Sequence, residues 1–322
     1  MRGEGFVFMD GSALDGSRCA YFNAIDLTRN VGTASKVEFL AISDPRQDRY
    51  LPRLDDPADP NLVQRLNEWD EQALALYYTG REFADTTLEA YYVYKTETRD
   101  YRSPANALFQ PDRRLSTVGG RVDRTLAAGW SANAEFAYQF GTQAANAPQG
   151  LAAKTIGAYG GYGHVKKAFE ASWRPRVSLG YILLSGTDPH SGRIGGWDPL
   201  FSRWPKWSEL YIYSQPGEKG VAYWTNTGML EAEVRLTPVR NFEVRATYYK
   251  LSALEAPAAV TAAWGSGKNR GDLYQVRADL KLNDSLKGHV LYEHLAPGSF
   301  YNAQAPGYFL RMEVAYAFKA RL

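Results

Sequence analysis

Apolar and polar side chains alternate residue by residue along this chain, in segment after segment, and no other feature narrows its possible folds as much. The final segment shows the pattern most plainly. In Tyr308-Phe309-Leu310-Arg311-Met312-Glu313-Val314-Ala315-Tyr316-Ala317-Phe318, the residues Tyr308, Leu310, Met312, Val314, Tyr316 and Phe318 share one face of a strand. Arg311, Glu313, Ala315 and Ala317 share the other, because strand side chains alternate with period two. A soluble sandwich also buries one face of each strand, so one such segment decides little. Recurrence along the whole chain, with aromatics at the ends of the apolar rows, is the pattern of a membrane β-barrel, apolar toward lipid and polar toward the lumen.

Alternation predicts roughly thirteen strands of about ten residues, the length a tilted membrane-spanning strand needs. They fall at Arg18–Ala24, Lys36–Ile42, Glu71–Tyr78, Leu88–Lys95, Ser116–Asp123, Ala132–Phe140, Lys154–His164, Arg174–Leu183, Gly228–Leu236, Asn241–Lys250, Leu273–Leu282, Leu286–Glu293 and Tyr308–Phe318. Between them, long and short connections take turns. Long ones start at Ser43, Thr96, Gly141, Leu184, Leu251 and Leu295, and short ones such as Thr237–Arg240 and Asn283–Ser285 lie between. Outer-membrane barrels carry short periplasmic turns and long outer loops. A soluble up-and-down barrel has no reason to separate loop lengths this way.

Composition agrees. Mean hydropathy is negative and no run of about eighteen apolar residues exists, which excludes a helical membrane protein but not a barrel. With 22 Tyr and 8 Trp, the chain is rich in rings that favour membrane interfaces. A formal net charge of +2 gives no argument for nucleic acid. Cys19 is the single cysteine, so no intramolecular disulfide forms.

The opening Met1-Arg2-Gly3-Glu4-Gly5 has no leader pattern. If the last strand descends to the periplasm, so does the first, which leaves an odd number of strands to precede it in an even-stranded barrel. The expectation is a single barrel domain over residues 1–322 whose leader and first strands are missing.

Two stretches carry a family likeness. One is Arg176-Val177-Ser178-Leu179-Gly180-Tyr181-Ile182-Leu183-Leu184-Ser185-Gly186-Thr187-Asp188 followed by Gly196-Trp197-Asp198-Pro199-Leu200-Phe201. The other is Tyr292-Glu293 with Pro297-Gly298 and Phe300-Tyr301. With the opening Met9-Asp10-Gly11 and Leu14-Asp15-Gly16-Ser17-Arg18, they resemble the alginate-export family of outer-membrane porins. The resemblance implies an eighteen-stranded barrel with an electropositive lumen that passes an anionic polysaccharide. Trp204-Pro205-Lys206-Trp207 departs from the Gly/His-containing stretch usual there.

Strand parity places Arg121, Arg174, Arg176, Arg235, Arg245, Arg277, Lys281 and Arg311 in the lumen, with Glu89, Glu135, Glu231, Glu233, Glu243, Asp279 and Glu313 among the acids. A guanidinium row suits uronate carboxylates, which it binds bidentately. The plainer reading is that Arg and Glu pair across strands and stiffen the wall. Trp197, Asp198, Phe201, Trp204 and Trp207 form a candidate constriction on the longest loop, joined by Tyr211, Tyr213 and Trp224. Aromatic faces stack on sugars, though rings also fill the girdles of any such barrel.

Nothing in the sequence assembles a catalytic site. His164, His190, His289 and His294 lack metal-ligand spacing, Glu231 and Glu233 are i, i+2 on a polar face, and no cofactor motif occurs. The sequence therefore reads as a non-enzymatic porin or exporter in a Gram-negative outer membrane. Its expected partners are the bilayer, a saccharide and periplasmic export components. A non-conducting barrel, whether enzyme or adhesin-like, and a soluble all-β carbohydrate-binding protein are the alternatives.

Overall fold

The computed structural model describes residues 3–4, 6–10, 23–45, 70–98, 111–145, 150–202, 207–210, 225–302 and 305–318. Thirteen strands form one antiparallel sheet in which each pairs with its sequence neighbours. They are β1 (Asn23–Val31), β2 (Ser35–Asp44), β3 (Asp70–Gly80), β4 (Thr86–Thr98), β5 (Arg113–Thr125), β6 (Trp130–Gln143) and β7 (Lys154–Ala168). The rest are β8 (Arg176–Leu184), β9 (Thr227–Val239), β10 (Phe242–Ser252), β11 (Asn269–Lys281), β12 (Leu286–Pro297) and β13 (Gly307–Tyr316). No helix among the described residues is long and apolar enough to cross a membrane.

Connection lengths alternate along the whole sheet. Residues 32–34, 81–85, 126–129, 169–175, 240–241 and 282–285 make the short side; 45–69, 99–112, 144–153, 185–226, 253–268 and 298–306 make the long side. Two of the short turns use backbone that costs an ordinary side chain strain: Gly32 takes φ +64 between β1 and β2, and Ala128 takes φ +55 between β5 and β6.

The sheet is inside-out relative to a soluble protein. Phe136, Tyr138, Val177, Leu179, Val276, Leu280, Leu310 and Val314 point outward, and Leu310 and Val314 are 65% and 78% exposed. Lys95, Glu71, Glu97, Arg113, Glu135, His164 and Glu293 point inward and are buried. Such an outer face is stable only against lipid, since an apolar band of this extent in water is a liability. Near the long-loop side, Tyr248, Tyr274, His294 and Tyr308 lie directly opposite one another on β10 to β13. Their rings are 4.7 to 6.1 Å apart, an aromatic belt at one membrane interface.

Two expectations are corrected. Among the described residues the first strand of the sheet is Asn23–Val31, which meets the expected Arg18–Ala24 at its end and runs well past it: Ile25, Leu27 and Val31 pair with β2 across the three-residue turn and leave their side chains exposed. Arg29 stands in that row between Leu27 and Val31 and breaks the apolar alternation there. Arg174 is not on a strand; it lies exposed in the 169–175 turn with φ +44, since Pro175 at the head of β8 holds no ladder N–H. Residues 18–22, with Cys19, fall outside the described residues.

Candidate functional site

Two segments enter the space enclosed by the sheet. One is the start of the long loop after β8, and the family-like residues fasten it. Ser185 Oγ accepts from Tyr159 N (2.9 Å) and donates to Gly195 O (2.6 Å), and Trp197 N donates to Ser185 O at 2.8 Å. Asp198 is fully buried. Its carboxylate accepts from Lys95 Nζ at 3.1 Å, Arg113 Nη1 at 3.0 Å and Leu200 N at 2.8 Å. Gln139 grips its backbone from both sides, accepting from Asp198 N at 2.8 Å and donating to Asp198 O at 2.7 Å. Lys95 also faces Glu97 at 2.9 Å and Glu71 at 3.3 Å. The Trp197 ring lies flat on β7, where a Cβ on Gly160 would come within 2.7 Å of it.

Further along the same loop, Glu293 of β12 accepts from Ser208 Oγ (2.8 Å), Glu209 N (3.1 Å), Leu210 N (2.8 Å) and Gln275 Nε2 (2.8 Å). Trp207 packs edge-on against Tyr249 at 5.6 Å.

The other segment is a strap of residues 3–10. Met9–Asp10 pairs in parallel with Phe201–Ser202, which joins strap to loop. Below that join, Phe8 is fully buried and stacks on Tyr91 (5.3 Å, 13°) and Tyr77 (5.8 Å, 12°). Phe6 meets Tyr162 at 5.5 Å. Glu4 ends the run, held by Lys166 Nζ at 2.8 Å, His164 Nδ1 at 3.1 Å and Asn133 Nδ2, while its N–H donates to Tyr162 Oη at 3.0 Å. Burial alone would raise the Glu4 carboxyl; His164 and Lys166 outweigh it and hold it at about 2.

Beyond Lys166 lies the arginine row. Arg176, Arg235, Arg245 and Arg277 are direct cross-strand partners on β8 to β11, and Arg311 follows on β13 across Leu291. Like charges placed opposite repel, so acids intervene. Arg176 pairs with Glu243, Arg235 with Glu233 at 2.9 Å and Glu243 at 3.4 Å, Arg277 with Asp279 at 2.8 Å, and Arg311 with Glu209 at 3.0 Å. Arg245 lies 3.8 Å from Glu233. Arg121 stands apart on β5, bound to Glu89 at 2.9 Å and Asp123 at 2.6 Å. Lys281 is at the short-turn rim, 2.8 Å from Asp284.

Of the predicted constriction, Trp197, Asp198 and Phe201 sit together in the lumen and Trp207 lies apart against β10; Trp204, Tyr211, Tyr213 and Trp224 lie outside the described residues. Sequence reasoning missed Lys95, Arg113 and the strap. Parity already put Lys95 on the face of Glu89, and Arg113 fell outside a strand drawn three residues short. Glu4, Phe6 and Phe8 alternate, the one signal that could have found the strap.

Among solved structures the chain is similar to a copper transporter, OprC (9% identity, TM-score 0.40, covering 92% of this chain and 58% of that one). It is also similar to the ferric-catecholate import receptor Fiu from E. coli K12 (12% identity, TM-score 0.35, covering 85% and 48%). The chain thus spans little more than half the length of these proteins at most. No curated protein matches it. The family model described as "Alginate export" matches residues 58–314, a span that takes in the Lys95–Asp198 clamp, the arginine row and the Glu293 anchor, and the chain belongs to that family.

Proposed function

We propose that this chain forms the wall of a Gram-negative outer-membrane barrel that gives passive passage to an acidic poly- or oligosaccharide, without catalysis. The observation that carries the reading is the inside-out sheet: an apolar face for lipid surrounds a lumen of buried ionisable groups. The arginine row supports an acidic cargo. A guanidinium has five donors and one carboxylate engages at most two, so Arg176, Arg235 and Arg245 can hold their wall partners and still meet a passing uronate. Family membership supports a saccharide and an export route, with periplasmic export components as partners. β1 and β13 make no pair with each other among the described residues, and unpaired backbone does not face lipid. That supports further strands closing the barrel between them, eighteen in all if the family pattern holds.

Single-channel recording of the full-length protein tests this. Changing Arg176, Arg235 and Arg245 to Gln should lower anion preference and weaken block by oligouronates. The difference should shrink at high salt, because the Debye length falls from about 10 Å at 0.1 M to about 3 Å at 1 M. Unchanged selectivity would make these arginines wall struts and the protein a general diffusion pore.

A further inference from the structure

We infer that the surface under the strap is a binding track for an acidic saccharide chain, and that residues 3–10 occupy it as a built-in surrogate. The inference rests on the transport reading above.

The track has the two chemistries an acidic sugar chain needs, in alternation. Tyr77 and Tyr91 present flat rings parallel to within 2°, 5.5 Å apart. Tyr91 lies down on the wall because its cross-strand partner is Gly119, where a Cβ would come within 2.5 Å of the ring. His164 lies down on Gly180 in the same way, with 2.0 Å to a Cβ there. Glycine inside a strand weakens it and marks a close approach. Here it lets rings lie along the wall instead of across the lumen. Flat rings offer faces for stacking. Lys166 and His164 then supply the charge that a carboxylate meets, and Arg176 and Arg235 continue it in a cavity of about 460 Å³ that Glu4 and Phe6 line from above. Glu231 and Glu233 also line it, set against His164 at 3.5 Å and Arg235 at 2.9 Å. A volume of this size is within the range of ligand sites, about 300–1,000 Å³.

The strap matches this track by side-chain type. Phe8 stacks on the Tyr91 and Tyr77 rings, Phe6 meets Tyr162 tilted by 55°, and the Glu4 carboxylate takes the Lys166–His164 position. Its described contacts with the wall are made by side chains and by Glu4 N–H to the Tyr162 hydroxyl, with no place in the strand ladder. A ligand that stacks and carries a carboxylate can exchange for it group by group. An occupied track lowers apparent affinity by the fraction of molecules in which the strap is seated.

The test compares binding of a hexauronate and of neutral maltohexaose to the full-length protein by titration calorimetry, alongside hexauronate block in bilayers. The double variant Glu4→Gln/Phe8→Ala should bind the hexauronate at least about tenfold more tightly than wild type, the worth of a buried ring lost from the seat. Adding Tyr77→Leu should remove the gain, and adding Lys166→Gln should weaken the hexauronate while leaving maltohexaose alone. If the double variant does not fold, Glu4→Gln carries the same comparison. Equal hexauronate binding with and without the strap substitutions, while hexauronate still blocks every pore, overturns the track and leaves the transport reading standing. Equal gains for both sugars overturn the acidic assignment. Conducting pores that hexauronate blocks in none of the variants overturn the transport reading itself.

Discussion

The loop after β8 and the strap of residues 3–10 both fill the lumen, yet they are held by opposite means. The loop is held by charge in a dry place. Asp198, Lys95 and Arg113 are all buried, and five hydrogen bonds converge on one residue of the loop. The strap is held by ring faces, by its short parallel pairing with Phe201–Ser202 and by one carboxylate shared among His164, Asn133 and Lys166, the last of them 42% exposed. A buried carboxylate held by several hydrogen bonds is costly to release, because its donors stay buried without that acceptor. Stacked rings accept any flat apolar face of similar size. One set of contacts fixes the loop against the wall, and the other leaves the strap to ring faces that can be exchanged.

The largest effect should come from breaking the fixed half. Asp198→Ala removes the acceptor shared by Lys95, Arg113 and Leu200 N while Glu71 and Glu97 still face the two bases, and should cost about 2–4 kcal/mol, read as a lower midpoint in chemical unfolding together with a larger pore conductance. An unchanged midpoint would remove the contrast, since the loop would then be held no more firmly than the strap.

Next come the glycine floors. Gly160→Val drives a side chain into the buried Trp197 ring and should cost about 1–3 kcal/mol, with thermal unfolding as the measure. Gly119→Ala beneath Tyr91 should cost less and act on the strap, because the nearest atoms are the movable end of a tyrosine. Equal losses at the two sites would mean that the strap ring is as tightly fixed as Trp197.

Phe8→Ala removes a fully buried ring and should weaken strap seating by about 1.5–3 kcal/mol. Hydrogen exchange should rise at residues 3–10 while β6 and β7 stay protected. Exchange that rises throughout the sheet would make the strap part of the fold's core.

The smallest effect is a pH dependence. The Glu4 carboxyl is depressed from its ordinary 4.5 to about 2, so its contribution to strap seating is fully present above about 4.5. It is lost as the pH falls through about 2. Strap exchange measured from pH 5 down to 2 should rise in the wild type and stay flat in Glu4→Gln. A rise in both would assign the effect to another carboxylate.

All thirteen expected strands overlap strands of the sheet, the first by Asn23 and Ala24 alone, and parity along the others separated Leu179 and Val276 from Glu231 and Arg277 without a coordinate. Period two is a local property of strand backbone, so it is written where it acts. The loosest match was β1, whose apolar row Ile25, Leu27 and Val31 is interrupted by Arg29. Family-like residues were legible as a motif but not as anchors. Nothing in Trp197-Asp198-Pro199-Leu200-Phe201 says that Asp198 reaches Lys95, 103 positions away.

The sequence by itself determined a thirteen-strand up-and-down sheet, its inward and outward faces and its long and short sides, because each follows from side-chain alternation and local turn chemistry. Only the tertiary structure decided what fills the lumen. Loop and strap conformations depend on which wall groups lie opposite after the sheet curves, and that depends on register summed over many strands. The row from Arg176 to Arg311, the seat of Glu4 between His164 and Lys166, and the rings of Phe8, Tyr77 and Tyr91 exist as sites only once those strands have paired.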